Sequence, residues 1–139
     1  MMGFFCDNKT VTLFNRFYDG ERERWYPTLL TEVDLVVTKG ANANQNGVTD
    51  SDTAKLYVDD TVLPKKYLPP LVYAGQEHPE AYVTFAEAKD FFVEGDATSQ
   101  DTERSNFFDY MRKQYDNIFK IVSVERYEDI LPHFEVGGK

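Results

Sequence analysis

Apolar and polar positions alternate with a period of two near the start of this chain. Over Thr10 to Phe17, Val11, Leu13 and Phe17 alternate with Thr10, Thr12 and Arg16, which predicts a β-strand. Tyr18-Asp19-Gly20 follows as a turn with a glycine available for positive φ. From Glu21 to Leu30 a second strand sets Arg22, Arg24 and Tyr26 on one face against Glu23 and Trp25 on the other. Pro27 restricts that strand to an edge, a bulge or a corner. Val33 to Thr38 is rich in β-branched residues and predicts a third strand, completing a meander.

The pattern then lapses. Residues 39–53, KGANANQNGVTDSDT, hold almost no large apolar side chain and predict a long polar loop of the kind that is functional or mobile. Ala54 to Val58 is a short strand, and residues 59–80 predict an extended connection stiffened by Pro64, Pro69 and Pro70. Ala81 to Phe85 predicts another strand. In AEAKDFFVEGD the spacing allows a helical turn over Ala86 to Asp90, followed by a strand at Phe91-Phe92-Val93 and a turn at Gly95-Asp96.

One helix is expected, over about residues 100–115. Thr98 or Ser99 is its N-cap, and Asp101 and Glu103 supply the negative first turn. Phe107, Phe108, Met111 and Tyr115 form its apolar face, with Arg112 and Lys113 near the C-terminal end. Ile118 to Tyr127 alternates again as a long strand with both faces partly buried, and His133 to Val136 predicts a last short one. Neither repeats nor low-complexity tracts occur. The expected architecture over 1–139 is a single mainly β (α+β) domain: a small antiparallel barrel or sandwich with one late helix and long polar loops.

Composition narrows the function classes. Of 139 residues, 42% are hydrophobic and 15% aromatic, which is enough to build a core. The net charge of −9 argues against a protein that grips nucleic acid through its phosphates and against an anionic membrane as partner. No apolar run approaches a membrane span and no signal peptide is evident, so a cytoplasm is the expected place of synthesis. Cys6, the lone cysteine, cannot form an internal disulfide.

Catalytic and metal motifs fail one by one. His78 and His133 stand without a nucleophile at recognisable spacing. Asp50-x-Asp52 opens like a calcium loop, but Lys55 occupies the glycine position and Thr61 that of the bidentate glutamate. Gly-rich phosphate cradles are missing from the sequence. No enzyme activity and no cofactor is expected. The charge distribution is more telling: Glu77 to Glu103 holds eight acids against one base, Lys89, a local net charge of −7. That run reads either as a solvated face or as a surface that DNA passes without sticking.

Three stretches carry a resemblance: TVTLFNRFYDGERERWYPTLL, the FFVEGD segment, and the tail FKIVSVERYEDILPHFEVGGK. On these the chain resembles the small minor capsid or head–tail connector proteins of tailed phages and prophages of Gram-positive bacteria. The likeness extends over most of the chain and departs from the pattern in the Asn-rich loop 39–53. It implies a head-closure-like virion protein, a β-barrel assembled as a ring at the neck of the particle. Its partners would be copies of itself, a portal or adaptor protein above and a tail protein below, with DNA passing through unbound and no membrane involved. The aromatics Trp25, Tyr67 and Tyr73 are the candidates for subunit contact. Asp50, Asp52, Glu77, Glu80, Glu87, Asp90, Glu94 and Asp96 are the candidates to face the channel. A tail-terminator or tail-completion protein is the neighbouring alternative. An acidic DNA mimic that inhibits a host DNA-binding protein is the alternative from another class.

Overall fold

A computed structural model describes residues 9–40 and 52–139. In chain order its elements are β1 (Lys9–Tyr18), β2 (Glu23–Thr38), β3 (Thr53–Asp59), β4 (Lys66–Tyr67), α1 (Pro70–Ala74), β5 (Tyr82–Val83), β6 (Phe91–Glu94), α2 (Phe107–Gln114), β7 (Ile118–Tyr127) and β8 (His133–Gly138). Six of the strands form a closed antiparallel barrel in the order β1-β2-β3-β8-β7-β6, with β6 pairing back onto β1. Of the two architectures expected, the chain adopts the barrel.

The expected second and third strands are one. β2 runs 16 residues and changes partner part-way, pairing with β1 up to Val33 and with β3 from Asp34. The change occurs at a bulge, where Lys9 pairs with Val33 but Val11 with Leu30, and Glu32 takes a left-handed φ of 57°. A bulge turns a strand without ending it, so polar Thr31-Glu32 reads as a break in sequence and is a corner in space. Pro27 lies in the half of β2 that pairs only with β1, where its missing N–H costs no ladder bond.

Burial follows from two cores. Inside the barrel, Val11, Leu13, Leu30, Leu56, Phe92, Phe134 and Val136 pack together. On the outer face of β1, β2 and β6, Phe14, Trp25, Phe91 and Val93 are covered by Phe107 and Met111 of α2. This is why β1 is buried on both faces over Val11–Asn15. The close packing reaches β8: a Cβ on Gly138 would come within 2.6 Å of Phe119 and 2.8 Å of Phe92.

α2 is shorter than expected. Residues 98–106 make turns, because the short acids bond to nearby main chain instead of capping a helix. Asp96 accepts from Thr98 N (3.0 Å) and Asp101 from Glu103 N (3.0 Å), while Glu103 pairs with Arg22 and Arg24. The helix starts after Asn106, which is left-handed. Its expected face holds, with Phe107 and Met111 buried and Phe108 and Tyr115 packed beside them.

The connection 59–80 is not simply extended. It contains single 3-10 turns, α1 starting at Pro70, and β4, which pairs in parallel with β5. The strand expected over Ala81 to Phe85 shrinks to β5. Residues 60–90 leave from the end of β3 and return at the start of β6. The register puts both of these at the same upper end of the barrel as the β1–β2 and β7–β8 hairpins. The segment is a strap across that mouth, and its Val83 and Phe85 plug the barrel core.

Candidate functional site

The strap is locked by one buried carboxylate. Asp90, expected at a channel surface, is fully buried. Its two oxygens accept three hydrogen bonds at 2.8 Å, from Arg16 N, Ala86 N and Asn15 Nδ2. Asn15 Nδ2 also donates to the Thr84 carbonyl at 2.7 Å, so one barrel amide ties down two points of the strap. Burial pushes the Asp90 carboxyl up to about 6, against the opposing effect of the three donors. Asp90 stands in the acidic run of the sequence, but it is consumed by the fold.

Two of the aromatic contact candidates are also core residues. Trp25 stands over Phe91 at 5.0 Å, and Tyr73 of α1 meets Phe17 edge-on at 6.0 Å; both side chains are buried. Large aromatics contribute most when desolvated, and here α2 and the strap do that within the chain. The Tyr73 hydroxyl has no hydrogen-bond partner, and burial, then the Asp90 charge, raises its pKa. Tyr67 is half-buried at the mouth, 4.6 Å from Phe134, with the Arg126 guanidinium 5.1 Å above its ring.

The remaining acids divide between the two ends. Glu77, Glu80 and Glu87 are exposed on the strap, and Glu80 lies 3.4 Å from His78. At the lower end a polar chain links two candidates: Lys39 Nζ reaches both Asp52 (3.2 Å) and Asn117 Oδ1 (3.2 Å). Asn117 Nδ2 in turn donates to Glu94 (2.8 Å), which lies 3.7 Å from Lys9. The Gly40 N–H, then Lys39, hold the Asp52 carboxyl below its usual range. Asp96 is exposed and is lowered by the Thr98 hydroxyl and N–H. Asp50, Cys6 and most of loop 39–53 lie outside the described residues.

Two surface features went unnoticed in sequence. One is the β7–β8 hairpin tip, Glu128 to Pro132. There Ile130 is 92% exposed, and Leu131 is left-handed with φ 57° although it is not glycine. His133 braces the tip: its Nδ1 is 2.8 Å from the Leu131 carbonyl, its Nε2 is 3.0 Å from Glu135, and its ring stacks on Tyr127. Pro132 O accepts from Asp60 N at 3.1 Å. The legible signal was an apolar Ile-Leu pair inside a turn bounded by Asp129 and Pro132.

The other feature is an open cleft of about 550 Å³ at the lower end of β7, lined by Phe108, Ile118, Val122, Arg112, Lys120 and Lys139 among others. Lys120 Nζ sits 4.4 Å over the Phe108 ring. Among the described residues, no carboxylate lies within ion-pair distance of these three bases. Asp52 and Asp116 also line the cleft, and Asp52 is held by Lys39.

A family model matches residues 5–139, nearly the full chain. The chain belongs to DUF6751, a family of unknown function. No curated protein and no solved structure matches it. Among the described residues of this DUF6751 member, no cluster of three or more His, Cys, Asp or Glu could hold a metal ion. Among the described residues, no helix is long and apolar enough to cross a membrane. What its surface offers is a braced apolar tip at one end, a basic-rimmed cleft at the other, and acids on the strap.

Proposed function

We propose that this chain is a structural virion protein of the phage head–tail junction, forming a ring that connects the portal to the tail. The closed barrel carries the reading, because it is the architecture that the resemblance implies and one of the two, barrel or sandwich, that the strand pattern allows. The ladder of the barrel closes on itself, which favours contact between copies through side-chain faces and loops, as in a heterologous ring contact. The partners in this reading are copies of the chain, a portal or adaptor protein and a tail protein, and its place is the virion neck. It acts by assembly rather than catalysis.

The acids left to face passing DNA are Glu77, Glu80, Glu87 and Asp96. DNA carries one negative charge per roughly 1.7 Å, so a basic wall would hold it and an acidic wall lets it slide. A tail-terminator would use the same surfaces beside a different neighbour. The DNA-mimic alternative asks for carboxylates in a phosphate-like row, whereas these are split between the two ends of the barrel.

Mass spectrometry and electron cryomicroscopy of purified particles from a strain carrying the gene test the proposal. The expected result is a ring of this chain below the portal. Particles lacking it, combined with tight binding of the purified chain to a host DNA-binding protein, would replace this reading with the mimic.

A further inference from the structure

β7 carries the two unassigned surface features at opposite ends. Its last residue, Tyr127, leads into the hairpin tip, and its first, Ile118, lines the cleft. Ten residues of strand separate them by roughly 30 Å. Their chemistry is complementary. The tip offers exposed Ile130 and Leu131 flanked by Glu128 and Asp129, both exposed. The cleft offers apolar Phe108, Ile118 and Val122 beside Arg112, Lys120 and Lys139, with Asp116 and the Lys39-paired Asp52 also in its lining. We propose that the hairpin tip of one copy seats in the β7–α2 cleft of the next, with Glu128 and Asp129 against the three bases.

Three observations support a second copy as the occupant. In a chain of net charge −9, the cleft carries three bases with no ion-pair partner against two acids, Asp116 and the Lys39-paired Asp52. Asp129, beside the most exposed large apolar side chain, has no base within ion-pair distance among the described residues, and Glu128 has only Arg126 at 3.9 Å. The cleft volume falls in the range that takes a small side-chain cluster. The tip is also preformed: Leu131 is held left-handed while His133 and Asp60 fix its flanking carbonyls, so little order is lost on docking. Tip and cleft are different surfaces at opposite ends, so the contact is head-to-tail and closes a ring when the rotation per copy allows. The inference rests on the ring reading above and specifies its contact.

Cysteine pairing tests it in a Cys6→Ser background. Ile130→Cys and Val122→Cys chains are mixed and oxidised, both as concentrated purified protein and as co-expressed chains in assembled particles. A mixed disulfide is expected, and Leu71→Cys, equally exposed but on α1, should give none with Val122→Cys. Independently, Asp129→Lys should weaken self-association about tenfold or more in sedimentation equilibrium, and adding Lys120→Glu should recover most of it. Asp129 is exposed, and circular dichroism checks that each variant folds. If oligomers form in particles but the mixed bond is missing and Asp129→Lys changes nothing, this contact is overturned while the ring stands. If neither particles nor concentrated protein contain oligomers, ring and contact fall together.

Discussion

Asp90 concentrates the chain's internal polarity in one carboxylate held by three hydrogen-bond donors, none of them a charged side chain. Its pKa is raised in the folded chain to about 6 from 3.8, so the native state binds that proton more readily than the unfolded state. Its contribution to stability is therefore greatest below about pH 4, declines as pH rises through 6, and is flat above that. The stability margin of the wild type over Asp90→Asn should shrink by up to about 3 kcal/mol between pH 4 and pH 7. Urea denaturation at a series of pH values measures it; a margin independent of pH would show that Asp90 titrates normally. Replacing its partner, Asn15→Leu, leaves Asp90 and the Thr84 carbonyl each one donor short and should cost about 2 kcal/mol at neutral pH. This network was illegible in sequence for a plain reason. Asp90 stands among seven other acids and Asn15 in an ordinary strand, and only the strap's return path brings them together. Trp25 and Tyr73 misled in the same way, since an aromatic fit for an interface is equally fit for a core.

Element boundaries were legible where period and turn chemistry agreed. β1, β3, β6, β7 and β8 stand within two residues of their expected limits, and the turn at Gly95-Asp96 follows β6 as expected. They failed where side chains of one segment bonded their own backbone, as in residues 98–106, or where a bulge let a strand pass through a polar pair, as in β2. The α2 face gives the sharpest test at this scale. Phe107→Ala and Met111→Ala remove fully buried side chains and should each cost about 3 kcal/mol, whereas half-buried Phe108→Ala should cost well under that. Thermal or urea melts rank them. Equal losses at 107 and 108 would mean the helix is rotated.

At the scale of the whole molecule the charge is unbalanced, and the excess lies on its surface. Glu77, Glu80, Glu87, Asp96 and the hairpin acids are exposed with few bases among them. Their mutual repulsion is screened within a Debye length of about 10 Å at 0.1 M salt. Raising sodium chloride from 20 to 300 mM should therefore raise the melting temperature of the isolated chain by a few degrees, on the order of 1 kcal/mol. A lowered melting temperature would mean that the ion pairs at Lys39 and Arg24 outweigh the repulsion.

β7 pairs with β6 over Ile118–Lys120 and with β8 over Ile121–Tyr127, and its ladder bonds run perpendicular to the strand. A pull applied between the hairpin tip and the cleft acts along that strand. Such a load slides β7 against its neighbours, so several bonds must give way together instead of peeling one by one. A chain of copies gripping one another by these two ends would transmit tension through its stiffest axis. A protein with that grain resists a pull along β7 and comes apart more readily when prised sideways.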